Sequence, residues 1–104
     1  MVQFLINLLD HGLEVQEAIE APRVATYSFP ASSHPHAYHP GLLRVEDRVP
    51  PEVRAKLSQM GHRVEVWPAW MPRAGALCAA VLNRAERTLA GGADPRRIAY
   101  AVGW

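Results

Sequence analysis

The sequence predicts an α+β fold, on three observations. Residues 51–61 carry the start, stripe and stop of a helix; Arg63–Trp67 alternates polar and apolar as a strand does; Ala76–Leu82 is apolar without a break. An unbroken run of that length predicts a strand covered on both faces. Helix and sheet with turns between them give a layered α+β arrangement. The chain has 104 residues, 49% apolar and 20% charged, which are globular values and not those of a disordered chain. At that length it makes one domain at most, and the expectation is a single partial domain over 1–104.

The elements follow in order. Residues 1 to about 11 predict a helix in which Gln3, Asn7, Asp10 and Glu14 form one narrow polar stripe. The positions between them (Val2, Phe4, Leu5, Ile6, Leu8, Leu9 and Leu13) are apolar, so the helix belongs in the interior of a larger protein. It starts without a capping Ser, Thr, Asp or Asn, and Gly12 suits its C-terminal stop. A short second helix over 15–20 ends before Pro22, because the residue preceding a proline disfavours helix. Residues 23–48 hold Pro30, Pro35, Pro40, a Ser pair and three histidines. They predict a long extended excursion with β pieces at Val24–Tyr27 and Leu42–Glu46. Pro51 and Glu52 suit a first helical turn, Val53, Leu57 and Met60 fall at i, i+4 and i+7, and Gly61 supplies the stop. After the strands at 63–67 and 76–82, Asn83–Arg87 predicts a hairpin loop leading into Thr88–Ala90. A chain of this size buries about 65% of its unfolded surface. Here the first helix and the strand at 76–82 both ask to be covered on nearly every side, so the chain reads as incomplete.

Composition excludes several classes. Eleven Lys and Arg against ten Asp and Glu leave a formal charge of +1, no basic field for nucleic acid or an anionic membrane. One Cys permits neither an internal disulfide framework nor a Cys-rich zinc site. No run reaches the roughly 18–20 apolar residues of a membrane span. The apolar start lacks the basic region and cleavage site of a signal peptide, and the location stays unassigned.

Candidate chemistry is thin. His34, His36 and His39 lie near Tyr38 in a Pro-rich loop, but their spacing fits no standard zinc pattern, and no acidic residue stands between Ser28 and Arg44. A metal-binding His loop is the last-ranked function. Cys78, inside the apolar run, is expected to be a buried small hydrophobe, the wrong setting for a nucleophile. Gly91-Gly92 lacks the spacing of a phosphate loop and is expected to mark a strand end where glycine allows unusual dihedrals. Asp94-Pro95-Arg96-Arg97 predicts a turn fixed by hydrogen bonds and ion pairs, and Pro22-Arg23 has the same character. Trp67, Trp70, Met71 and Trp104 predict packing or an interface. No nucleophile, base and orienting group can be assembled from these residues.

In order, the chain runs MVQFLINLLDHG, EAIEAPR (17–23), LRVE, VRAKLSQMGHRVEVWP with Gly61-His62 inside it, AGALCAAVLN, LAGGADPRR with GGADPRR at 91–97, and YAVGW. This collinear set resembles the C-terminal end of the small subunit of the gamma-glutamyltranspeptidase (gamma-glutamyltransferase) family over essentially all 104 residues. The resemblance implies part of an N-terminal nucleophile hydrolase, an αββα sandwich cleaved from one precursor into a large and a small subunit. In such enzymes an N-terminal Thr, activated by its own amine, attacks the gamma-glutamyl carbonyl of glutathione or a related amide, and backbone amides stabilise the oxyanion.

In the family, the Thr, the paired serines and the oxyanion glycines all lie upstream of the helix that begins here. Thr26 and Thr88 lie outside the cleavage motif, and Gly91-Gly92 is not the oxyanion pair. The resemblance therefore places no catalytic, substrate-binding or metal residue and no cofactor in this chain. Arg23 and Arg96 match arginines of the family and are expected to be structural anchors, as Asp94 is from the turn it begins. The aromatic, His-containing stretch from Tyr27 to Gly41 looks like a variant loop of bacterial relatives, some of which act on other amides such as cephalosporin side chains. The expected partners are the rest of the small subunit and the large subunit. The alternative is a non-catalytic remnant or interaction module that associates through its apolar first helix.

Overall fold

The structure is a computed structural model and describes residues 1–103. Along the chain run α1 (Val2–Leu9), α2 (Val15–Glu20), β1 (Val24–Thr26), β2 (Leu42–Glu46), α3 (Pro51–Gln59), β3 (Arg63–Trp67), a 3-10 turn at Pro72–Ala74, β4 (Cys78–Asn83) and β5 (Thr88–Ala93). Contacts gather into two compact units: Met1–Ala21 with the chain from Gly75 onward, and Pro22–Ala74. Each is described by itself.

In the first unit, α1 ends at Leu9, two residues before its expected end, and no side chain caps its start. Gly12 takes φ +66° just past its end, and the Leu13 N–H reaches back to the Asn7 carbonyl at 3.0 Å. Phe4 is buried, whereas Val2, Leu5, Ile6 and Leu9 remain exposed, so the helix uses one narrow face within this chain. α2 forms where it was expected, with the Glu14 N–H donating to the Glu17 carboxylate at its start. Its Val15, Ala18 and Ile19 join Phe4 to form the core.

β4 and β5 form an antiparallel hairpin, with Ala79 opposite Gly92 and Val81 opposite Ala90. Leu77, Ala79 and Val81 pack on the helical core. This corrects the expectation of a strand covered on both faces: alternate residues Cys78, Ala80 and Leu82 face outward and are exposed. Cys78 is accordingly exposed and not the buried hydrophobe that the apolar run suggested. Continuous hydrophobicity shows that both faces can be buried, but which face is buried depends on what else is present. The hairpin loop lies where predicted, with Asn83 Oδ1 accepting the N–H groups of Ala85 and Glu86 and Arg87 at φ 55°.

Gly91 and Gly92 lie inside β5 and not at its end, and neither has a positive φ. Their dihedrals are ordinary. Glycine is needed at 92 for space, because a Cβ there would stand 2.7 Å from Ile19 Cδ1 and 3.1 Å from Val15 Cγ1. At Gly91 the nearest atom is the Ala101 Cβ, at 3.5 Å.

In the second unit the strand order is β1-β2-β3, with β1 antiparallel and β3 parallel to β2. The parallel pair needs a crossover, and α3 supplies it. Leu42, Val45, Val49 and Trp67 are buried, and the Tyr27 ring meets Trp67 edge-on with centroids 6.3 Å apart. β3 departs from simple alternation, since Trp67 is buried and Val66 is half exposed. The apolar stripe of α3 is also lightly used: Leu57 is partly covered, but Val53 and Met60 are exposed. Arg44 bonds Glu65 at 2.8 Å and lies over the Tyr27 ring. The hydrogen bond to Glu65, then that to Tyr27, raises its guanidinium above the ordinary value. Between β1 and β2 the excursion is closed by its own bonds, Gly41 N–H to Ser28 Oγ at 3.1 Å and His39 N–H to the Tyr27 carbonyl at 3.0 Å.

The space around Gly92 yields a direct test. Gly92→Ala is expected to destabilise the first unit by about 1–3 kcal/mol through overpacking against Ile19. Gly91→Ala is expected to stay within about 0.5 kcal/mol of the parent. Urea denaturation, with hydrogen exchange resolving α2 and β4, checks both.

Candidate functional site: two buried carboxylate–arginine centres

Burial of charge singles out two places. Burying an unpaired carboxylate is costly, so a fully buried one shows where the fold has arranged several donors around it. The side chains of Glu46 and Asp94 are both fully buried, and Arg96 is nearly so.

The Asp94 centre lies in the first unit. Pro95 fixes the chain just after β5, and the Arg96 N–H turns back onto Asp94 Oδ1 at 3.0 Å, the short Asp turn that this sequence favours. Asp94 Oδ2 accepts the Leu77 N–H at 3.1 Å and so holds the entry to β4. Arg96 Nη1 bonds Asp94 Oδ1 at 3.2 Å and the Ile19 carbonyl at 3.1 Å, while Nη2 reaches the Ala21 carbonyl at 3.0 Å and that of Glu20 at 3.5 Å. The last carbonyls of a helix lack intrahelical donors and carry the negative end of its dipole. A planar guanidinium, with donors in a fixed fork, serves several of them at once. Beside it, Gln16 uses both ends of its amide on one residue: Nε2 donates to the Ala93 carbonyl at 3.0 Å, and Oε1 accepts the Ala93 N–H at 3.0 Å.

The Glu46 centre lies in the second unit. Oε2 accepts the Arg23 N–H at 3.0 Å and Arg48 Nη2 at 3.0 Å, and Oε1 accepts the Met71 N–H at 3.0 Å. Arg48 also donates to the Ala69 carbonyl at 2.8 Å and lies 3.6 Å above the Trp70 ring centroid. Arg23 contributes its backbone here, and its side chain reaches the Ala74 carbonyl at 3.4 Å. Thus Asp94 and Arg96 meet in the first unit, and Arg23 takes part in the Glu46 constellation of the second.

Glu46, Arg48 and Gln16 were not singled out in the sequence. Parity offered a signal for Glu46, since in β2 it shares a face with Leu42, which is buried. Nothing local marks Gln16, whose partner Ala93 is 77 residues away. In both centres each carboxylate oxygen already accepts from the protein, which is the chemistry of holding backbone in place.

Of the remaining candidates, Trp70 and the Met71 N–H belong to the Glu46 centre. His34 and His36 meet with ring centroids 6.2 Å apart, and His36 Nδ1 is 2.9 Å from the Ala31 carbonyl. Among the described residues, no three His, Cys, Asp or Glu side chains are grouped to hold a metal ion. Among the described residues, no helix is long and apolar enough to cross a membrane. Of the aromatic set, Trp67 packs in the core and Trp70 supports Arg48, while Trp104 lies outside the described residues.

This fold, with its anchored DPRR turn, has clear relatives. The family model described as gamma-glutamyltranspeptidase matches residues 1–104. The Acylase ACY 1 proenzyme of Pseudomonas sp. (strain V22) is 33% identical over 92 residues, 88% of this chain and 14% of that protein. The glutathione hydrolase proenzyme of Bacillus subtilis (strain 168) is 30% identical over 103 residues, 99% of this chain and 15% of that protein. Among solved structures, the cephalosporin acylase from Bacillus halodurans superposes with a TM-score of 0.73 at 25% identity, over 98% of this chain and 17% of that one.

The fold is therefore α+β and of the N-terminal nucleophile hydrolase type. The chain belongs to the gamma-glutamyltranspeptidase family. It spans about one seventh of the length of these two sequence relatives.

Removing Arg96 takes from the buried Asp94 the guanidinium that bonds its Oδ1. Arg96→Ala is expected to cost about 3–5 kcal/mol. Arg96→Lys is expected to recover only part of that, because one ammonium cannot reproduce the fork. Chemical denaturation, with amide exchange at the end of α2 as the local readout, measures both.

Proposed function

We propose that this chain is the C-terminal part of the small subunit of a gamma-glutamyltransferase-like protein. In this role it braces the fold and does not supply the nucleophile. The Asp94–Arg96 clamp carries the reading: one buried ion pair fixes the end of α2, the entry to β4 and the turn after β5 together. Asp94 and Arg96 act as anchors of the first unit, and Arg23 is an anchor of the second through its bonds to Glu46 and the Ala74 carbonyl.

The reaction class is acyl transfer or hydrolysis at an amide, with a gamma-glutamyl amide such as glutathione as the family's donor. Supporting this class, the relatives are named as an acylase and a glutathione hydrolase. The nucleophile and oxyanion donors come from the remainder of the small subunit, and the large subunit completes the glutamyl pocket. The exposed apolar face of α1 (Val2, Leu5, Leu9) is what that remainder covers. The same surface would serve a non-catalytic module, and turnover separates the two roles.

Purified 1–104 is expected to release no product from a gamma-glutamyl anilide above a protein-free blank. Co-expression with the rest of its precursor is expected to give release that Arg96→Ala lowers at least tenfold. Release by 1–104 alone would refute the assignment of the nucleophile to another segment.

A further inference from the structure

The loop between β1 and β2 holds three histidines and, from Ser28 to Leu43, no Asp, Glu, Lys or Arg. Main-chain bonds fix its path: the Ala31 N–H donates to the Ala37 carbonyl at 2.9 Å, and the His36 N–H to the Ser33 carbonyl at 2.8 Å. His36 takes φ 59°, and its Nδ1 lies 2.9 Å from the Ala31 carbonyl oxygen. A carbonyl only accepts, so Nδ1 carries the ring proton and Nε2 keeps its lone pair. The same bond sets the orientation of the ring.

A histidine that ligates a metal ion characteristically gives its other N–H to a carbonyl or carboxylate, which fixes its tautomer and its plane. His36 already has that arrangement. The His34 ring stands beside it at 73°, with centroids 6.2 Å apart, and both residues are exposed. Among the described residues, no protein group bonds either ring nitrogen of His34 or Nε2 of His36. Metal–nitrogen bonds of about 2.0–2.1 Å place two imidazole centroids on one ion about 5 Å apart. Rotation of the exposed His34 side chain closes the remaining distance of about 1 Å.

We propose that His34 and His36 form an open two-imidazole site for a divalent late transition-metal ion, with solvent filling the other positions. The donors select the class of ion. Imidazole suits copper, nickel and zinc, whereas calcium and magnesium take oxygen ligands, and this loop offers no carboxylate. The absence of Lys and Arg from the loop also removes nearby charge that would oppose a cation. Of the three histidines, the structure pairs two; His39 serves the loop through its backbone, its N–H bonded to the Tyr27 carbonyl. The proposal rests on this loop alone and does not depend on the acyl-transfer reading.

Calorimetric titration of the chain with Cu(II), the divalent ion that nitrogen sites hold most tightly, tests the site. One ion per chain is expected, with electron paramagnetic resonance showing coupling to imidazole nitrogens. His34→Ala removes one ligand. His36→Asn removes the other and keeps the path of the loop, because asparagine tolerates a positive φ and its Nδ2 can replace Nδ1 on the Ala31 carbonyl. Each is expected to weaken binding at least about tenfold with far-UV circular dichroism unchanged. His39→Ala is expected to bind as the parent does. Absence of uptake overturns the proposal. So does uptake undiminished in both His34→Ala and His36→Asn, which puts the ion at His11, His62 or the α-amino group. An equal loss in His39→Ala overturns the two-ring site as well.

Discussion

The first unit depends on the buried ion pair between Asp94 and Arg96. Asp94 and Arg96 are two residues apart, yet between them they hold the end of α2, the start of β4 and the turn that follows β5. Isolated burial would make either group costly. Together, with each carboxylate oxygen and the guanidinium fork engaged by backbone, they convert that cost into directional constraint. Gln16 extends the same logic, since its amide takes the place of a neighbouring strand at Ala93. Gly92 then allows α2 to lie close enough for these bonds to be made.

The second unit solves a similar problem with different parts. Glu46 ends β2 with its side chain turned inward, and three donors from separate stretches of chain converge on it. Arg48 completes the arrangement by stacking on Trp70 while its guanidinium reaches both Glu46 and Ala69. In both units a carboxylate gathers backbone N–H groups that regular ladders leave over. This is how loop-rich segments with many prolines keep a defined path.

The apolar surface is consistent with a chain that spans a small fraction of its relatives. α1 is apolar over most of its circumference and buries mainly Phe4 within this chain. β4 is apolar on both faces and packs only one. Sequence hydrophobicity records what a segment can bury, so the mismatch with observed burial marks the apolar surface that this chain leaves uncovered.

Much of the fold was legible because its signals are local. Pro51 and Gly61 bracket α3, Pro22 ends the stretch that contains α2, and the alternation of Arg63–Trp67 marks a strand. The Asp-Pro-Arg-Arg turn was legible for the same reason, being built within four residues. The sequence could not say that Cys78 would face outward, that Gly92 exists to admit Ile19, or that Gln16 would close the edge of β5. It did not say that Glu46, in a strand with an arginine at its centre, would be the best buried carboxylate of its unit. Those facts depend on residues far apart in the chain coming within a few ångströms. Local propensity carries no term for such approach, so only the tertiary structure decides it.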